Sequence, residues 1–205
     1  MAKMDFRQLA EQVARLLARA DFLGAEKLLL EARRTAEMQE DLEARQFVLS
    51  ELIELYCVME PPRLAEAEAL SRERQHLKPS AYSTLQTAMI LQHGANDPVR
   101  AIPELEAALR QARAENDDKT AYMAVSLLGQ AYLETNEIEK ASSLLSELEA
   151  MVISKASFVV GDETPFLEGL RTRDLETKRV SRLASSLVSA CRDPEFKKRL
   201  SRLSG

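Results

Sequence analysis

Tryptophan is absent from this 205-residue chain, aromatics reach only 5%, and there are two cysteines, six glycines and seven prolines. Each scarcity excludes something. A sheet protein of this length needs more turn glycine and more β-branched residues, and the longest strand-like stretch is Ser157-Phe158-Val159-Val160. Cys57 and Cys191 lie far apart, each on an apolar helical stripe, and read as reduced core thiols rather than a disulfide or a metal pair. No apolar run approaches the ~18 residues that cross a bilayer. Met1-Ala2-Lys3-Met4-Asp5-Phe6 lacks the apolar core of a secretory signal, so no membrane partner is expected and the cytoplasm is the expected compartment.

Motifs that carry chemistry are missing too. There is no glycine loop to cradle phosphate, no nucleophile elbow and no paired-histidine motif. His76 and His93 are the only histidines, and Glu73 stands three residues before His76. A lone Glu/His pair on a charged helix is a solvated face, not a metal site. His93 precedes Gly94 at a helix end, where the dipole favours its charged form. The expectation is no catalysis, no cofactor and no metal.

What the chain has is 45% apolar and 30% charged residues, rich in Ala, Leu, Glu and Arg, a composition of helices. The net charge of −5 is unevenly spread. Residues 169–205 hold ten Lys/Arg against four Asp/Glu, a local +6, leaving 18 against 29, or −11, for the rest. An acidic body with a basic tail implies intramolecular docking or two binding surfaces.

Apolar periodicity divides residues 5–152 into four helical hairpins. Phe6, Leu9, Val13, Leu16 and Leu17 line the first helix, and Asp21-Phe22 opens the second, with Ala25, Leu28, Leu29 and Ala32 inward. Val48, Leu49, Leu52, Ile53 and Tyr56 line the next. Glu60-Pro61-Pro62 ends it, because proline lacks the N–H and disfavours a helical residue before it. The helix that follows carries Leu64, Ala65, Ala67, Leu70 and Leu77, with either alanine able to take the close-contact position. Tyr82, Leu85, Ala88 and Met89 begin the third hairpin. Asp97 caps its second helix, Pro98 is the first helical residue, and Pro103 is expected in the first turn. Asp117 or Asp118 caps the fourth hairpin. Beyond it, Gly161–Pro165 reads as a linker, a long helix is expected from Pro165 to Ala190, and Asp193-Pro194 restarts a short one.

Within the fourth hairpin, Leu128-Gly129-Gln130-Ala131-Tyr132 followed by Ala141, Leu145 and Leu148 resembles the tetratricopeptide repeat, a helix–turn–helix unit of about 34 residues. Asp21-Phe22-x-x-Ala25-x-x-x-Leu29-x-x-Ala32 is similar to the second half of that motif, and Leu49, Leu52, Ile53 and Tyr56 fall at its first-helix offsets. Counting Ala25, Ala65, Ala101 and Ala141 as equivalent gives steps of 40, 36 and 40, which resembles the longer-helix variants of the family. The family's tryptophan is absent, and only Gly129 fills its glycine position.

The resemblance implies an all-α fold: a right-handed α-solenoid of four hairpins over residues 1–153, with a linker and basic capping helices over 154–205 packed on it. It also implies a non-catalytic scaffold, adaptor or regulatory subunit that binds a peptide or helix of a protein partner in its concave groove. Helix-face arithmetic places Arg7, Ser50, Glu54, Ser83, Gln86, His93, Met123, Ser126 and Gln130 on that groove. Ala10, Ala14 and Ser50 stand where chaperone-clamping members carry Lys and Asn, so the carboxylate clamp does not carry over. Other uses stay open. The chain's own C-terminal helix fills the groove, or an uncovered stripe pairs two copies as a homodimer. In a further reading the basic residues Arg171, Arg173, Lys178, Arg179, Arg182, Arg192, Lys197, Lys198, Arg199 and Arg202 contact nucleic acid.

Overall fold

The computed structural model describes residues 5–154, 163–191 and 194–205. These residues form eleven α-helices and one π-helical turn, with no strand among them. Among them, no helix is long and apolar enough to cross a membrane. Ser157–Val160, the first part of the expected linker, Arg192 and Asp193 lie outside the described residues.

The chain forms two compact units, Met1–Ala95 and Asn96–Gly205. The described helices beyond residue 163 belong to the second unit, where α9 packs on the helix that carries Gly129. The boundary falls inside the expected third hairpin, leaving one of its helices in each unit.

In the first unit, α1 (Phe6–Leu17), α2 (Phe22–Met38), α3 (Leu42–Val58), α4 (Leu64–Leu77) and α5 (Ala81–Met89) pack each on the next, and α5 runs into a π turn, Ile90–Gly94. Leu29, Leu49, Leu52, Ile53 and Leu55 are fully buried among them, each side chain contributing about 1.5–3 kcal/mol of hydrophobic stabilisation. Charge fastens the outside of this core: Glu73 of α4 accepts from Arg33 of α2 (2.9 Å) and Arg45 of α3 (3.4 Å). The α4–α5 contact is polar. Ser71 and Thr87 hydroxyls meet at 2.7 Å in the interior, and Gln75 donates to Thr84 at 2.9 Å.

The second unit comprises α6 (Pro98–Glu115), α7 (Asp118–Glu134), α8 (Ile138–Ser154), α9 (Thr164–Thr172), α10 (Thr177–Ala190) and α11 (Pro194–Leu203). Helix α7 packs on α6, α8 and α9, while α10 and α11 pack on α9 and on each other. Phe166, Leu167 and Leu170 of α9 are fully buried. The single helix expected over 165–190 is broken, because Asp174 and Glu176 adopt left-handed φ values of 54° and 52°. The Leu175 N–H closes the break on the Leu170 carbonyl (2.9 Å). Pro103 lies inside α6, in its second turn rather than its first, and so removes one i→i−4 donor.

A recurring junction sets helix length. Ala20-Asp21, Glu40-Asp41, Asn96-Asp97 and Asn116-Asp117 each pair a left-handed residue (φ 51° to 56°) with an aspartate whose carboxylate accepts an N–H three residues on. In three of them the aspartate's own N–H reaches a carbonyl five residues back: Asp21 to Leu16, Asp41 to Ala36, Asp117 to Ala112. This is a Schellman ending joined directly to an N-cap, so helix-end carbonyls and N–H groups are satisfied within one junction.

Ala25, Ala101 and Ala141 are fully buried, as close-contact residues should be. The fourth member is Ala67; Ala65 is exposed. The steps are therefore 42, 34 and 40 rather than 40, 36 and 40. The double proline lengthens the loop, and Arg63 fixes the new register. Its N–H donates to the Tyr56 carbonyl (2.8 Å) and its guanidinium lies 4.4 Å over the Tyr56 ring.

Candidate interaction site

The nine groove residues expected from helix-face arithmetic fall in four settings. Glu54, Gln86 and His93 line one depression of about 390 Å³ in the first unit, and Ser50 touches Gln86 behind it. Arg7 stands fully outside, on α1, paired with Glu11 (3.1 Å). Ser83 and Ser126 are interior and correct the expectation. Ser83 belongs to a capping box with Ser80, and Ser126 donates to the Tyr122 carbonyl (3.1 Å). Small polar residues on a helix face look the same in sequence whether they face solvent or another helix.

Met123 and Gln130 are half-buried on α7 in the second unit, and Gln130 donates to Glu134 (2.7 Å). One face of α7 is taken by the chain itself. Phe166 of α9 sits against Gly129, and Gly169 of α9 approaches Leu133. A helix from the C-terminal part of the chain thus covers α7 at Gly129.

The depression is built from two helix faces. The end of α3 supplies Ile53, Glu54, Cys57 and Val58; α5 and the π turn supply Tyr82, Gln86, Met89, Ile90, His93 and Gly94. Tyr82, Gln86, Met89 and His93 recur at spacings of four, three and four, which is one helical face. The π turn, closed by the Ala95 N–H on the Ile90 carbonyl (2.9 Å), widens the helix where His93 and Gly94 reach the rim. Ile53 and Ile90 form a buried floor, while Val58 and Tyr82 remain 55% and 38% exposed at the mouth. Tyr82 belongs to the helix expected to begin the third hairpin. It lies under the Arg74 guanidinium, 5.5 Å from ring centroid to Cζ.

Polar chemistry stands on one wall. Arg74 Nη1 donates to Gln86 Oε1 (2.8 Å), and Gln86 Nε2 donates to Ser50 Oγ (3.4 Å). Among the described residues no carboxylate lies within ion-pair distance of Arg74; burial pushes its pKa down, against the fields of Tyr82 and Glu54. Glu54 in turn acts on its neighbours. The Cys57 thiol and the Glu51 carboxyl are both pushed up, by burial first and by Glu54 second. The thiol is held as a neutral, weakly reactive group.

Among the described basic residues of the C-terminal helices, several are already engaged. Arg179 binds Glu149 (2.6 Å) and Ser146, Arg199 binds Glu168, Arg171 donates to Ser181 (2.9 Å), and Arg173 reaches the Leu133 carbonyl (3.1 Å). Lys178, Arg182, Lys197, Lys198 and Arg202 remain exposed.

Arg74, Tyr82 and Met89 were not singled out by the sequence; the spacing from Tyr82 to His93 is the signal that reveals the last two. Comparison with family profiles, curated proteins and solved structures returned no match for this chain.

Proposed function

We propose that this chain is a non-catalytic protein-interaction module, an adaptor or the binding subunit of a regulator, built of tetratricopeptide-like hairpins in a right-handed α-solenoid. The observation that carries this reading is the α3–α5 depression. Its apolar floor, exposed Val58 and Tyr82, and a wall of amide, carboxylate and imidazole suit the side chains of a peptide or helix. Buried alanines at Ala25, Ala67, Ala101 and Ala141 support the repeat assignment, since each lets two helices approach closely. The nucleic-acid reading has less support, because Arg171, Arg173, Arg179 and Arg199 are spent on internal partners.

The test is affinity capture with crosslinking from the source cell, comparing wild type with Met89→Lys, which places a charged chain in the depression. A partner retained by wild type and lost by a folded Met89→Lys variant is the expected result. Identical captured sets would overturn the reading.

A further inference from the structure

The charge at the mouth of the α3–α5 depression is out of balance. Six glutamates of the first unit, Glu11, Glu26, Glu37, Glu66, Glu68 and Glu73, each hold an arginine. Glu51 and Glu54 hold none, and neither makes a hydrogen bond among the described residues. They stand one turn apart on α3, on the helix that forms one side of the depression. Glu51 is half-buried and Glu54 is exposed. Burial of a carboxylate without a cation is unfavourable. Arg74 interacts with Glu54 only through space and is already bonded to Gln86.

Beside Glu54 the lining is apolar, with Cys57, Val58, Met89 and Ile90, and Glu51 stands one turn back along α3. A ligand that satisfies both must carry a large apolar group and, about one helical turn away, a cation. On an α-helix, residues three or four apart lie about 5–6 Å from each other, matching the one-turn spacing of Glu51 and Glu54. Resting on the interaction reading above, we infer that the occupant of this depression is a basic amphipathic helix of a partner protein. It sets an apolar side chain on Met89 and Ile90 and Lys or Arg side chains on Glu54 and Glu51. An acidic or neutral helix would leave the two carboxylates desolvated and unpaired, so charge selects the partner while the floor supplies the affinity.

The experiment is selection of random 16-residue phage-displayed peptides on the purified full chain, followed by fluorescence anisotropy of labelled winners against variants of that chain. The expected winners are rich in Lys/Arg with Leu or Phe at helical spacing and compete with one another. They bind Met89→Lys at least tenfold more weakly. They bind the Glu51→Gln/Glu54→Gln double variant at least tenfold more weakly, and with a flatter dependence on salt. A Glu31→Gln/Glu40→Gln control, changing acids elsewhere on the same unit, binds as wild type; circular dichroism confirms that every variant is folded. Winners that need Met89 but are acidic or neutral, or are indifferent to the double variant, would overturn the basic-helix inference and leave the interaction reading standing. Winners indifferent to Met89→Lys, or no winners at all, would overturn both.

Discussion

The Phe166 ring lies on the backbone of Gly129, where a β-carbon would stand 2.6 Å from Cζ and 2.7 Å from each Cε. The contact fixes α9 on α7. It also gives Gly129 a role different from that of a small residue within its own hairpin: the space it leaves is filled by an aromatic ring from 37 residues downstream.

Gly129→Ala therefore forces a fully buried ring to move, and overpacking of this kind costs about 1–3 kcal/mol. The expected result is a lower urea midpoint for Gly129→Ala. In Gly129→Ala/Phe166→Leu the loss should be smaller than the sum of the two single losses by at least about 0.5 kcal/mol. Strict additivity would show that the ring and the glycine do not communicate.

Tyr56 donates to Glu26 (2.8 Å) beneath the Arg63 guanidinium, and its phenol is pushed up to about 12 by burial and by that hydrogen bond. Tyr132 is shifted in the same direction by burial and by its bond to Glu106 (2.7 Å). Above the ordinary value of 10.0, the unfolded chain loses the Tyr56 proton while the folded chain keeps it. The stabilising contribution is thus complete below pH 10 and is lost as pH rises toward 12. An ultraviolet titration should show Tyr56 and Tyr132 among the late-ionising tyrosines. Tyr56→Phe should remove one late step and flatten the loss of stability in that window. Four tyrosines titrating together would contradict the geometry.

Glu40 is an exposed L-residue held at φ 52° between two helices. A left-handed conformation costs such a residue about 1–2 kcal/mol, partly offset by the larger unfolded-state freedom of glycine. Glu40→Gly is expected to stabilise the fold by about 0.5–1 kcal/mol and to raise the melting temperature by a few degrees. Asp41→Ala, which removes the adjoining cap, is expected to lower it through a loss of about 1 kcal/mol. A calorimetric scan of both separates the two halves of the junction.

Much of the architecture is legible in residue order. The Asp21 and Asp97 caps, Asp117 of the two aspartates offered for the next helix, and the buried Leu128, Tyr132, Ala141, Leu145 and Leu148 of α7 and α8 follow from local chemistry that the fold obeys. Three features were hidden for physical reasons. Ala65 and Ala67 are indistinguishable until the Arg63 contacts fix where α4 begins. The break between α9 and α10 carries neither glycine nor proline; it rests on Asp174 and Glu176 in left-handed conformations that these residue types do not announce in sequence. A third of the groove assignment, Met123, Ser126 and Gln130, lies on α7, one face of which is covered by α9 from far along the chain. Among the expected site residues, Glu54, Gln86 and His93 come together because α3 and α5 each present one unbroken face. Ser83 was misplaced because a serine three residues after Ser80 serves the backbone first.

The Asp-capped junctions have a consequence for how such a chain can change its length. Asp21 and Asp41 are 20 residues apart, and so are Asp97 and Asp117. Each junction closes both neighbouring rods with atoms of its own, so copying or deleting one 20-residue segment moves every later rod as a block, its ends still sealed. Growth by tandem duplication would meet its main obstacle at the lateral faces, where side chains must find new neighbours, and hardly any at the corners.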